Sequence, residues 1–140
     1  MEYRKFGDTY VVRLDRGEEI VTQLKALAAQ EHIRLASVQA LGAVDDFTVG
    51  VYNTETKVYA SNHFQGAFEI VSLTGTMDTM DGQPYLHLHM SAGDGEGKVF
   101  GGHLNRAVIS ATCEMVIRCI DGEIDRFHSD EIGLNLFRFL

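Results

Sequence analysis

Alternation of apolar and polar side chains, two residues to the period, runs through most of this chain and marks it as largely β. Residues 9–14, Thr-Tyr-Val-Val-Arg-Leu, read as a strand that Asp15-Arg16-Gly17 brings to a turn. The period then changes. Ile20, Leu24, Leu27 and Ala28 recur at helical spacing, behind Glu18 and Glu19 at the end where the helix dipole favours negative charge. This predicts one helix over residues 18–30. Alternation resumes, and strands are predicted over 36–42, 47–52, 57–61, 67–76, 85–91, 98–104, 109–120 and 123–128. Between them lie turn signals at Asn53-Thr54-Glu55, Gln65-Gly66, Met80-Asp81-Gly82-Gln83, Asp94-Gly95 and Asp121-Gly122. Asp121-Gly122 is the strongest local hairpin signal among them. The pattern predicts an α+β fold: a mainly antiparallel β-sheet with one principal helix packed on it, in a single domain over residues 1–140.

Composition supports a packed core, since 45% of the 140 residues are apolar. No segment approaches the apolar run needed to cross a bilayer, and Met1-Glu2-Tyr3-Arg4-Lys5 leads into no signal-type stretch. A cytoplasmic location without a membrane partner is expected. The formal net charge of −8 repels phosphate backbones, and the twelve lysines and arginines are scattered rather than clustered. Nucleic acid is therefore not the expected main partner. Cys113 and Cys119 are six apart in one predicted strand, about 20 Å if it is straight, far beyond disulfide reach. They share the parity of Ile109, Ala111, Met115 and Ile117 and read as buried, reduced thiols.

The chemistry concentrates elsewhere. Three of the six histidines, His87, His89 and His103, fall in one glycine-rich stretch. Neutral imidazole is the commonest protein ligand for zinc and its neighbours. Three imidazoles with an open fourth position are the composition of a reactive rather than a closed site. On a strand, His87 and His89 share a face with Tyr85, opposite Leu86, Leu88 and Met90. His103 joins that face if an antiparallel return pairs it with His87, centring the turn on Gly95, or with His89, centring it on Glu96. Both centres lie in Asp94-Gly95-Glu96-Gly97, where a three- or five-residue loop with a glycine at positive φ is expected. Gly101-Gly102 before His103 signals a bulge or a close approach of backbone. His32, His63 and His128 read as surface or capping residues. Glu69 and Glu114 are candidate general bases, each being a carboxylate in an otherwise apolar strand, with a pairing to a cation such as Arg118 as the plainer alternative.

Gly66-Ala67-Phe68-Glu69-Ile70-Val71-Ser72-Leu73-Thr74-Gly75, followed by His87-Leu88-His89 and Gly101-Gly102-His103-Leu104, closely resembles the PPC (plants and prokaryotes conserved, DUF296) domain. The resemblance covers nearly the whole chain, including Val12-Arg13-Leu14, Gly17-Glu18-Glu19 and Ala40-Leu41-Gly42-Ala43. It implies a mainly antiparallel α+β fold assembled as a homotrimer. In some members it implies a histidine metal site, whose positions here are His87, His89 and His103. Plant members carry an AT-hook on a separate segment and are nuclear, DNA-associated proteins; prokaryotic members are usually this domain alone, often named DNA-binding by that analogy. No AT-hook is present here, and position 67 is Ala where the plant pattern has Arg. The cupin metal motif also contains an HxH pair, but it needs a glutamate four or five positions on, where this chain has Gly93 and Asp94.

The sequence thus predicts a divalent-metal protein, with zinc as the first metal, His87, His89 and His103 as ligands and room for a small-molecule ligand or a metal-dependent reaction. A DNA-associated regulatory role and a trimeric interaction module are the alternatives. The apolar C-terminal run Leu134-Asn135-Leu136-Phe137-Arg138-Phe139-Leu140 reads as a final strand or the cover of a subunit contact.

Overall fold

The computed structural model describes residues 1–139. Its elements are β1 (Glu2–Phe6), β2 (Thr9–Asp15), α1 (Ile20–Gln30), β3 (Ala36–Asn53), β4 (Val58–Met80), β5 (Gln83–Gly93), β6 (Val99–Cys119), β7 (Asp125–Ser129) and β8 (Leu134–Arg138). The first six strands form one antiparallel sheet in the order β1-β2-β6-β3-β4-β5. Strand β5 also pairs back onto the first half of β6, so β3, β4, β5 and β6 close into a ring. Strands β7 and β8 form a separate hairpin. Among the described residues, no helix is long and apolar enough to cross a membrane.

Three strands are longer than the sequence predicts, for one physical reason. The buried positions of β3 are Ala36, Val38, Ala40 and Val44, then Phe47 and Val49. The alternation slips by one residue, and the pairing with β4 slips at the same place, between Val44 and Asp46. A β-bulge bends a strand and shifts its facing by one position without ending it. The slip looks like a turn in sequence, which is why residues 36–42 and 47–52 read as two strands. Predicted strands 57–61 and 67–76 likewise fuse into β4, and 98–104 and 109–120 into β6. Gly66, expected in a turn, lies within β4 with φ +137°.

Strand β1 was not legible in sequence: Glu2–Phe6 offers little buried apolar side and is held at the edge by pairing with β2. Asp121-Gly122 does not close a hairpin. Strand β6 takes its partners from β2, β3 and β5, and the chain leaves it to build β7, which pairs with β8. Leu134–Arg138 of the C-terminal run form that last strand, an intramolecular pairing, and Leu140 lies outside the described residues.

Helix α1 starts two residues later than predicted because Glu19 serves as its N-cap, accepting hydrogen bonds from the backbone of Val21 and Thr22 at 2.9 and 2.8 Å. The same carboxylate accepts from the Ala107 amide at 3.1 Å, tying the helix start to β6. The helix buries Ile20, Leu24, Leu27 and Ala28, packing against β5 and β6. Leu88 and Met90 belong to the same core. Cys113 is buried and Cys119 half-buried; both are free thiols, and burial pushes the Cys113 thiol up to about 12.

Candidate metal centre

The register of β5 is set at both ends. Asp81 and Gly82 form a two-residue turn between β4 and β5, both at positive φ (+52° and +74°) as the right-handed twist of a hairpin prefers. This pairing places Thr76 beside His87 and Thr74 beside His89. At the other end, the five-residue loop 94–98 is organised by Asp94, whose carboxylate accepts from the amides of Glu96 and Lys98, both at 2.9 Å. Gly97 supplies the positive φ, +81°. The return strand pairs His89 directly with His103, so of the two centres open in sequence the loop adopts Glu96.

The three rings therefore gather on the side of the sheet away from α1. Ring centroids lie 5.2 Å apart for His87 and His89, 5.3 Å for His87 and His103, and 5.7 Å for His89 and His103. One nitrogen from each ring lies within 4.8 Å of the others. His87 and His89 are exposed, and His103 is half-buried. Burial, and then the neighbouring imidazoles, hold the His103 pKa below its ordinary value. Burial followed by the Arg126 charge and His89 does the same for His87, with Asp78 opposing. Both shifts favour the neutral ring, the form that offers a lone pair to a cation.

Close backbone packing fixes this arrangement. A Cβ at Gly102 would come within 2.5 Å of the Gly50 carbonyl oxygen, and one at Gly101 within 2.8 Å of the Met90 carbonyl oxygen. The glycine pair is a close approach rather than a bulge; the bulge falls two residues past His103, where Val49 pairs with Leu104 and Thr48 with Arg106. Tyr59 lies edge-on to the His103 ring at 6.3 Å and donates to the Asn105 side chain at 2.6 Å.

Next to His87 is a group that sequence reasoning missed. Arg126 on β7 is buried and makes a two-pronged ion pair with buried Asp78 on β4, at 2.6 and 2.8 Å. Its guanidinium is sandwiched between the rings of Tyr85 (4.4 Å) and Phe137 (4.5 Å) and donates to the Asn135 carbonyl at 2.9 Å. The pair fastens the β7–β8 hairpin to the edge of the site. Asp78 shares the parity of Thr74 and Thr76, which was readable; its partner 48 positions away was not.

The candidate bases lie elsewhere. Glu69 pairs with Ala43 and Gly93, five residues along β4 from Thr74, roughly 16 Å of strand. Glu114 pairs with Arg13 and Leu41, eleven residues along β6 from His103 and roughly 36 Å of strand away. Arg118, the suggested partner of Glu114, faces Asp8 instead at 3.7 Å. Of the remaining histidines, His32 is exposed with φ +53°, and His128 lies within β7, bonded to the Asn135 side chain at 3.0 Å. His63 is in a strand rather than a turn, paired with Thr48 and bonded to Asp46 at 2.9 Å.

Several solved structures share this whole architecture. A Bacteroides thetaiotaomicron protein, provisionally named DNA-binding, superposes with a TM-score of 0.96 at 33% identity, over 99% of this chain and 96% of its own. A metal-containing protein of Archaeoglobus fulgidus gives 0.89 at 32% identity, covering 99% and 97%. A plant- and prokaryote-conserved (PPC) protein of Pyrococcus horikoshii gives 0.86 at 31% identity, covering 99% and 96%. Among curated proteins, the bifunctional protein GlmU of a Synechococcus strain is 29% identical over 110 residues, 77% of this chain. The chain spans only 16% of that relative's length. The family model for the Plants and Prokaryotes Conserved (PCC) domain matches residues 1–121, from β1 through β6, leaving the β7–β8 hairpin beyond it. The chain belongs to the Plants and Prokaryotes Conserved domain family.

Proposed function

We propose that this protein binds a divalent metal ion, zinc first, through His87, His89 and His103. The observation that carries the reading is the convergence of three ring nitrogens within 4.8 Å of one another, two of the rings held toward the neutral form. The similarity to a metal-containing archaeal protein supports it. Three imidazole ligands suit zinc and leave a position at which such an ion accepts water or a small ligand and acts as a Lewis acid. Hydrolytic or lyase chemistry there needs a general base close by. Glu69 and Glu114 stand too far along their strands, and Asp78 is committed to Arg126. The reading is therefore metal and ligand binding, with turnover as an extension that requires a base from elsewhere.

Elemental analysis of untagged protein tests this. We expect about one zinc per chain after zinc loading and dialysis; a content near zero in wild-type protein overturns it.

We further propose that residues 1–140 form one domain working in the cytoplasm, and that it assembles as a homotrimer, the assembly being what the family resemblance implies. Val11 and Val116, direct cross-strand partners on the outer face of the sheet, are each 47% exposed, and Leu41 near them is 57% exposed. A subunit contact over that face would cover them. Light scattering should then return three times the monomer mass. The second reading, DNA association, is favoured by the name of the Bacteroides thetaiotaomicron neighbour. The acidic balance of −8 opposes it, so no gel shift of duplex DNA is expected at physiological salt.

A further inference from the structure

Beside His89, across β4, β5 and β6, is an open recess of about 230 Å³ lined by Ser72, Thr74, His89, Ser91, Gly101 and Gly102, with Met90 beneath. Its hydroxyls follow from the register. Ser72 pairs with Ser91 and Thr74 with His89, and Ser91 in turn pairs with Gly101. The hydroxyl of Thr76, one row further along β4, is occupied by Asp78 and Arg126. Ser72, Thr74 and Ser91 have no such partners among the described residues. Gly101 and Gly102 add no side chain to fill the space.

Two features define what fits. No lysine, arginine, aspartate or glutamate lines the recess. His89 borders the recess and the other two imidazoles stand beyond it, so the uncompensated charge at a loaded site is that of the metal, and a compact anion is its complement. The volume lies below the roughly 300–1,000 Å³ of sites for larger organic ligands, so a small occupant suits it. Hydroxyls donate well to anionic oxygens, and hydrogen bonds to charged groups are the stronger kind.

We infer that this recess is the seat of a small oxyanion, of carboxylate size, that sets its charge against the metal held by His87, His89 and His103 and accepts hydrogen bonds from Ser72, Thr74 and Ser91. The inference rests on the metal reading above and names the ligand class for that site. It assigns Ser72, Thr74 and Ser91 to ligand selection rather than to holding the metal.

The test uses the full chain loaded with Co²⁺, whose absorption bands respond to ligand exchange. Acetate, inorganic phosphate and neutral acetamide are titrated into the wild type, the S72A/T74V variant and, separately, S91A. The expected result is a saturable band shift with acetate, with phosphate or with both, and none with acetamide. Affinity should fall about tenfold for each hydroxyl removed, while Co²⁺ stoichiometry stays unchanged. Acetate alone would identify a planar carboxylate site; phosphate alone, a tetrahedral one. Equal anion affinity in wild type and variants, equal response to acetamide, or no response to any probe in Co²⁺-loaded protein overturns the inference and leaves the metal reading intact. Failure of the wild type to take up Co²⁺ removes both. Unchanged Co²⁺ uptake by the variants also shows that they have folded.

Discussion

His89 and His103 are direct cross-strand partners, their ring centroids 5.7 Å apart, although a loop of five residues and parts of two strands separate them in sequence. His87 completes the group from the same face of β5 as His89. Two rings therefore come from one strand and the third from its neighbour, and each can be removed without touching the core.

Replacing His103 by alanine should abolish stable metal binding while leaving the fold intact. Disturbing a partner outside a metal's own ligands commonly weakens binding 10–100-fold, so loss of a ligand is expected to cost more than about 100-fold. Competition with a chromophoric chelator measures this, and circular dichroism confirms the sheet. Retention of wild-type affinity by both His103→Ala and His89→Ala would remove the imidazole cluster as the binding site.

Gly102→Ala should act on the site through the backbone. The new Cβ would lie 2.5 Å from the Gly50 carbonyl oxygen, so β6 and β3 must part just where His103 is anchored. Overpacking of this kind costs about 1–3 kcal/mol. The expected outcome is a lower melting temperature in metal-free protein together with weaker metal affinity. Gly95→Ala is the control, because a Cβ there meets nothing within 4 Å. Equal behaviour of the two variants would show that the close approach does not hold the site.

The fold class and the triad were legible because both rest on short-range rules. Helical spacing from Ile20 to Ala28 gave α1, and strand parity gave a shared face for His87 and His89. The loop residues confined the return of His103 to two registers, of which one is adopted. Illegible features depend on contacts far apart in sequence. The slip between Val44 and Asp46, opposite Phe68 and Gln65, shifts the alternation and mimics strand ends in both β3 and β4. Asp121-Gly122 has hairpin chemistry but lacks a partner strand across it, because both sides of β6 are already taken. Nothing beside Arg126 in sequence marks it for burial, because Tyr85, Phe137 and Asp78, which surround it, lie on other strands.

The titration of His87 and His103 has a stability consequence. Both are lowered from 6.5, chiefly by burial, so in the metal-free protein the unfolded chain takes up these protons before the folded chain does. Their contribution to stability is complete above about pH 6.5 and is lost as pH falls through that value toward the lower folded values. Urea denaturation of metal-free protein should show this as a pH-dependent loss that is reduced in H87N/H103N. Identical pH profiles for wild type and variant would contradict the direction of both shifts.

Asp78 and Arg126 should behave as a unit. Both are buried, at 1% and 5% exposure, and each satisfies the other with two hydrogen bonds. Breaking a buried pair by removing one member leaves an uncompensated charge, whereas replacing both by apolar side chains of similar size is often close to neutral. Asp78→Ala is therefore expected to cost about 3–5 kcal/mol, and the D78L/R126M double variant considerably less. Because Arg126 also binds the Asn135 carbonyl and stacks between Tyr85 and Phe137, the damage should appear first as release of β7–β8. Limited proteolysis should cleave Asp78→Ala after residue 121 well before the sheet is attacked, and the remaining domain should still carry its three histidines together. If Asp78→Ala instead matches the wild type in urea midpoint and protease resistance, the pair does not fasten the hairpin.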